Sequence, residues 1–467
     1  MLLNSLQLDH QTTTPLYKQI IQFIKLEIQQ GGLTAGTKLP SIRSLAASLN
    51  ISRITVENAY SQLLEEGYLI SKPQSGYYTA DLKDMLTYEE MATPETSPPE
   101  PRYNFRSNSV DSQSFNTAVW RRYINQALQA KELLSTYGQA QGEPILRTTL
   151  AKYSYEARDV KCSPEQIVVG AGIQSLLHIL CGILKSSVHT IGIQSPGFFH
   201  AEQIFKDHGY KTMPFSLDQS RLPKSEQASK DLPGLVCVNP SNPYAGGALP
   251  ATKRLALLKW AQQTNTYILE DDYIGEFRYL SRPIPSLQGM SNGHQVIYLG
   301  SFSRTLLPSL RISYMVLPQT LLPLYYQISD RYNQTSSSLE QLALSGFIAD
   351  GHLSRHIRKL RKIYAKKNQA LRQSLQQVFG NKLTITSYES GLRLLLLVDS
   401  PLSSQVLTAR ALEQGIAVIP VGDAPPPTAP KVQEKRLVQP QIMLSYAGIP
   451  ESDIESAVQA LYQAWFN

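Results

Sequence analysis

Apolar residues fall at helical spacing in three short runs near the start of the chain. Leu16, Ile20, Phe23 and Ile24 form the first stripe, opened by Pro15, which a first helical turn accepts, and stopped by Gly31-Gly32. Ile42, Leu45, Ala46 and Leu49 form the second after Ser41; Val56, Tyr60, Leu63 and Leu64 form the third after Ser52. A serine just before an apolar run is a good N-cap, because its hydroxyl accepts from a backbone N–H that the helix leaves unpaired. The third helix turns Arg53, Thr55, Asn58 and Gln62 outward, and Gly67 ends it. Tyr68-Leu69-Ile70 and Ser75-Gly76-Tyr77-Tyr78 then read as a two-stranded ribbon. Short helices, a tight turn and such a ribbon describe a winged helix-turn-helix over residues 1–80.

The pattern changes twice more. Residues 81–103 are polar and carry Pro94, Pro98, Pro99 and Pro101, a composition that buries no core and reads as a linker. Residues 104–467 alternate apolar strand-like runs with helical patterns, the mark of an α/β layer fold. Ile167-Val168-Val169 leads into Gly170-Ala171-Gly172 and a helix opening near Ile173-Gln174-Ser175, a turn whose backbone N–H groups suit phosphate. Leu235 to Val238 leads into Asn239-Pro240-Ser241-Asn242-Pro243-Tyr244, Tyr267 to Glu270 into Asp271-Asp272-Tyr273, and Val296 to Leu299 into Ser301-Phe302-Ser303-Arg304. Taken singly, each is an ordinary strand end. His352 to Arg372 is an amphipathic helix with Leu353, Ile357, Leu360 and Tyr364 as its seam and a dense set of cations outside it, a solvated face or a second DNA contact.

Composition narrows the class. With 467 residues, 42% hydrophobic and 17% charged, the chain has the makings of a multidomain globular protein. The net charge of +7 permits nucleic-acid binding without showing it, and the first 80 residues are nearly balanced, with six Lys/Arg against five Asp/Glu. Cys162, Cys181 and Cys237 form no CxxC pair, so neither a zinc site nor a disulfide framework is expected. No signal peptide and no membrane-spanning run is read, and the expected compartment is the cytoplasm.

The stretch from Lys38 to Tyr78, with its "KLPSIRSLAASLNISRITVENAY" core, resembles the GntR family of DNA-binding domains. The resemblance implies operator contacts by Arg43, Ser52, Arg53 and Thr55, with Gly76 at the wing tip. The strand-end segments of residues 104–467, in this order, resemble the fold-type I aminotransferases. That likeness implies pyridoxal 5′-phosphate (PLP), with its ring hydroxyl on Asn242 and Tyr273 and its pyridine nitrogen on Asp271. Its phosphate would lie on Gly172, Ile173, Gln174, Ser301, Ser303 and Arg311. A GntR-type head on an aminotransferase-like body resembles the MocR/GabR family of transcription regulators. Further matches are "YGQAQGEPILR", "EDDYIGEFRY" and "LPSLRISYMVLP". The resemblance implies a small-molecule effector and a head-to-tail homodimer.

Two positions depart from the pattern. Arg304 stands where that family carries the lysine that forms a Schiff base with PLP, a reaction that needs a neutral amine. No lysine occurs between Lys259 and Lys359 to replace it. Gly448 stands near the place where transaminases carry a carboxylate-binding arginine. Arg304 therefore admits three readings: a natural loss leaving PLP non-covalent, lost or replaced, a designed replacement of the lysine, or a vestigial pocket held by structural ion pairs. The expectation is a DNA-binding regulator that senses PLP or a related ligand; the rival is an aminotransferase with an accessory head, against which the missing lysine counts directly.

Overall fold

The computed structural model describes residues 6, 8–9, 12, 14–81, 100–107, 109–194, 199–217, 232–241, 248–278, 284–387, 391–424 and 439–467. The chain forms two compact units, residues 1–99 and 100–467.

The first unit is built as the apolar spacing requires. Helices α1 (Leu16–Gln29), α2 (Ile42–Leu49) and α3 (Arg53–Glu65) precede the antiparallel pair β1 (Leu69–Lys72) and β2 (Gly76–Thr79). Ser41 Oγ accepts from Ser44 N at 3.2 Å and Ser52 Oγ from Ile54 N at 3.3 Å, so both serines cap as expected. Ile20, Ile24, Leu45, Val56, Tyr60, Leu63 and Leu69 share one core, while Phe23 and Leu64 lie at its margin. Tyr60 keeps its hydroxyl satisfied on the Pro40 carbonyl at 3.1 Å.

In the second unit β3 (Tyr103–Asn104) precedes α4 (Thr117–Ala127), α5 (Lys131–Leu134) and α6 (Pro144–Arg158). Strands β4 (Ile167–Gly170), β5 (Thr190–Gln194), β6 (Lys211–Phe215), β7 (Leu235–Val238), β8 (Tyr267–Asp271), β9 (Val296–Ser301) and β10 (Ser313–Val316) form one sheet in the order β4-β10-β9-β8-β7-β5-β6. Only β10 runs against the rest. Between them lie α7 (Ile173–Leu184), α8 (Phe199–Asp207), α9 (Ala251–Thr264) and α10 (Leu287–Met290). Alternate residues bury on opposite faces: Val168, Leu299 and Met315 pack with α7 and α8, whereas Val169, Tyr298 and Tyr314 pack with α4 and α6. A sheet covered on both sides must be apolar on both, which is why its strands read as continuous hydrophobic runs.

After α11 (Leu322–Tyr326) and α12 (Ser338–Ala349), the long helix α13 (His352–Phe379) leads into a smaller lobe. There β11 (Leu383–Ser387), β12 (Arg393–Val398), β14 (Ile419–Ala424) and β15 (Gln439–Ser445) form an antiparallel sheet in the order β11-β12-β15-β14. Helices α14 (Ser404–Glu413) and α15 (Ile454–Phe466) and the short β13 (Ile416–Ala417) complete it. β13 pairs with β3, so Tyr103, read from the sequence as the last linker residue, belongs to this lobe. Its ring is 6% exposed within the lobe core and its hydroxyl meets Ser456 at 2.9 Å. Of the rest of the linker reading, residues 82–99 lie outside the described residues. All three cysteines are free, and burial pushes the thiols of Cys162 and Cys181 up to about 12, which keeps them protonated. No helix among the described residues is long and apolar enough to cross a membrane.

Candidate functional site

Strand direction gathers the site. The parallel strands bring their C-terminal ends to one edge of the sheet, and antiparallel β10 brings its N-terminus there. Gly170 and Ser301 both stand opposite Ser313, while Asp271 stands opposite Leu299. Ligands of open α/β sheets bind outside this edge. A cleft of about 690 Å³ lined by Lys185, His189 and Lys211 lies instead at the N-terminal ends of β5 and β6 and is no part of this arrangement.

One flank of the edge is a cradle. Gly172, at φ +87°, caps α7, and a Cβ there would collide with the Arg311 guanidinium. Arg311 is itself in the left-handed region at φ +50°, a conformation uncommon for a side-chain-bearing residue, and Nη2 donates to the Ala171 carbonyl at 3.4 Å. Ser301, Ser303 and Ser313 hydroxyls stand 3.0 to 3.3 Å apart in a chain. The Arg311 guanidinium, the serine hydroxyls and the first backbone N–H groups of α7 stand at this edge and are groups that suit a phosphate, while the Gly172 and Ala171 N–H groups are taken by the Gly170 carbonyl at 2.8 Å and Thr335 Oγ1 at 2.9 Å. Ile173 is half-buried and Gln174 exposed in the first turn of α7. A Gly172→Ala variant should displace Arg311 and weaken PLP binding while leaving binding of unphosphorylated pyridoxal unchanged, a difference that equilibrium dialysis reads directly.

The other flank is acidic and buried. Asp271 is 4% exposed, and its Oδ1 has no hydrogen-bond partner among the described residues. Burial, then the charge of Asp272, pushes its carboxyl up to about 8, against a hydrogen bond from Asn239. Asn239 was not singled out by the sequence; it is fixed because its N–H donates to Gln194 Oε1 at 2.7 Å. Asp272 faces away into an ion pair with Arg158 at 2.6 Å and accepts from Tyr298 Oη at 3.0 Å. An orphaned carboxylate oxygen beside a phosphate cradle fits the ring nitrogen and phosphate of PLP. Tyr273 is half-buried, and Asn242 lies outside the described residues.

Arg304 is 9% exposed in the loop after β9. Burial, then the nearby charge of Arg393, pushes its guanidinium down to about 10, which leaves it protonated at neutral pH. Tyr273 and Tyr364 also lie within electrostatic range of it. The smaller lobe supplies Arg393 and Tyr364: Gly391 N donates to the Phe277 carbonyl at 2.8 Å, and Phe277 meets the Tyr364 ring edge-on at 5.4 Å. At Gly448 an added Cβ would collide with Ser109 Oγ, so an arginine cannot stand there in this packing.

On the head, Arg43, Ser52 and Arg53 are exposed and Thr55 half-buried at the start of α2 and α3. Ile54, unremarked in the sequence, is 67% exposed beside Arg53, where an aliphatic side chain could meet a thymine methyl. Gly76 opens β2 at φ +116°, and the wing adds Lys72, 4.5 Å from the Tyr78 ring centroid, and Lys38 at 5.9 Å. Arg53→Ala should cost duplex binding about 1–3 kcal/mol, roughly 5- to 150-fold, read by fluorescence anisotropy.

Comparison with known proteins agrees with both units. Residues 16–78 match the model of the bacterial regulatory proteins of the gntR family, and residues 103–461 match aminotransferase class I and II. The uncharacterized HTH-type transcriptional regulator YdeL of Bacillus subtilis (strain 168) is 38% identical over 97% of this chain and 97% of its own length. The regulatory protein MocR of Rhizobium meliloti is 30% identical over 98% of this chain and 96% of its own. A kynurenine aminotransferase of Pyrococcus horikoshii, at 20% identity and TM-score 0.67, covers 77% of this chain and 90% of its own and shares the fold of the body. The chain therefore belongs to the MocR-type HTH transcriptional regulators, in which a GntR-type DNA-binding domain is fused to an aminotransferase-like domain.

Proposed function

We propose that the body of this regulator holds PLP, or a closely related phosphorylated pyridine, without a covalent bond, and that this ligand sets how the head engages operator DNA. The unpartnered Oδ1 of buried Asp271 carries the reading. When bound, PLP would supply an electron-withdrawing ring and a dianionic phosphate. Asp271 would hold the ring nitrogen; Gly172, Arg311, Ser301 and Ser303 would hold the phosphate; Tyr273 and Asn242 are the candidates for the ring hydroxyl. Arg304 holds its proton and moves none at neutral pH, so this chain lacks the amine on which transamination depends. Ligand and DNA affinities would then be linked through two arrangements of a homodimer, each ligand favouring one of them.

The Asp271 carboxyl gives the reading a pH signature. Below about pH 8 the ligand-free carboxyl already carries the proton that the ring nitrogen shares on binding. Above it, that proton must come from water, and affinity should fall by up to about tenfold per pH unit. Dialysis of PLP against the full chain from pH 7 upward tests this; an affinity that stays level through pH 9 would contradict the Asp271 contact.

A further inference from the structure

Helix α13 carries eight cations and no Asp or Glu in its 28 residues. Three of the cations are taken up by the fold or lie partly within it. Arg361 Nε donates to the Glu276 carbonyl at 2.6 Å, Lys367 is 4% exposed and pairs with Asp111 at 2.9 Å, and Arg372 is half-buried. The other five, Arg355, Arg358, Lys359, Lys362 and Lys366, are exposed. At about 100° and 1.5 Å per residue they fall within an arc of about 100° and a length of about 17 Å. Local contacts engage only parts of this stripe. Arg355 donates to the Asp350 carbonyl at 2.9 Å, and Lys359 donates to the Ser114 carbonyl at 3.1 Å, one of the three donors of an ammonium. Arg122 of α4 pairs with the Asp350 carboxylate at 3.7 Å, so that pair adds no net charge at this end.

A helix face that is merely solvated gains from mixed signs, since opposite charges three or four residues apart stabilise it and like charges destabilise it. Here Arg355–Arg358, Arg355–Lys359, Arg358–Lys362, Lys359–Lys362 and Lys362–Lys366 are all like-charged neighbours at those spacings. The arrangement suits an extended polyanion. We infer that this stripe binds the sugar-phosphate backbone of duplex DNA as a second contact outside the winged head, an inference that rests on the head's own DNA binding. A duplex presents one negative charge per about 1.7 Å of axis, so a stripe of about 17 Å faces enough phosphates for all five cations. Contacts of this kind position the duplex without reading its sequence.

The test uses the full chain and a mixed-sequence duplex of about 60 base pairs, with anisotropy followed across salt concentration. The variant Arg355→Gln/Arg358→Gln/Lys362→Gln/Lys366→Gln should lower the slope of log affinity against log salt by about 2 to 3.5 and the affinity at moderate salt by about tenfold or more. Lys362→Gln alone, a single exposed change, should lower the slope by about 0.9. Wild-type slope and affinity in both variants, with Arg43→Ala/Arg53→Ala still weakened, would overturn the stripe and leave the head reading intact. Weakened stripe variants beside an unaffected Arg43→Ala/Arg53→Ala would support the stripe and overturn only Arg43 and Arg53 as the head's contacts. A change in the light-scattering mass of the stripe variants would assign α13 to a contact between chains and overturn the proposal.

Discussion

Arg304→Lys is expected to give a chain that takes up one PLP covalently per protein, whereas the wild type takes it up reversibly. The position is 9% exposed, and its surroundings already push an arginine from its ordinary value down to about 10. The same burial and the same Arg393 charge would act on a lysine there and push its ammonium down, favouring the neutral amine. A larger share of such lysines is then a neutral nucleophile at pH 7 than in water. Asp271, the Gly172 turn and Arg311 are untouched by the change, so the ligand meets the same cradle. Reduction with borohydride should leave one phosphopyridoxyl group on residue 304 of the variant. A variant that remains unmodified would show that the pocket does not present PLP to this position.

Asp271→Asn should stabilise the ligand-free chain and abolish its response to PLP. The folded carboxyl at about 8 lies above the unfolded value of about 3.9, so between roughly pH 4 and 8 folding takes up a proton that the unfolded chain does not hold. Stability from this group is therefore lost as pH rises through that window and levels off above pH 8. At pH 7 the penalty is on the order of 2–4 kcal/mol, and an amide of the same shape carries no such penalty. A higher melting temperature at pH 7, shrinking toward the wild type near pH 4, is the expected pattern. An asparagine variant that melts lower at pH 7 would mean that the ionised carboxylate is satisfied in the fold. The trade of stability for a buried acid with one oxygen unpartnered among the described residues is what a ligand site at this edge would require.

The head was legible residue by residue. Its helices are short, capped by Ser41 and Ser52, and their apolar spacing is local, so one sequence window contains the whole argument. The strand ends of the body were legible too, because each run stops at Gly170, Asp271 or Ser301. Their meeting at one edge was not visible in any window, since it depends on β8, β9 and β10 lying side by side. The least legible part is what surrounds Arg304. Arg393 comes from β12 and Tyr364 from α13, both of the smaller lobe, and no periodicity links them to residue 304. Asn239 stands before a proline, where an asparagine is an ordinary turn former, and only the bond to Asp271 gives it another role. The glycine at 448 looked like a lost anchor, and the packing of Ser109 against it supplies the steric reason.

The central claim is a regulator whose aminotransferase-like pocket binds PLP without a covalent bond. The most direct measurement is a titration of the wild-type chain with PLP, followed by borohydride reduction and peptide mass mapping. The account predicts saturable binding, seen as a rise in melting temperature and a shifted absorption band, with an unmodified chain after reduction and full loss of the ligand on dialysis. Stoichiometric covalent modification of the wild-type chain would contradict it, as would a melting temperature and spectrum that do not respond to PLP.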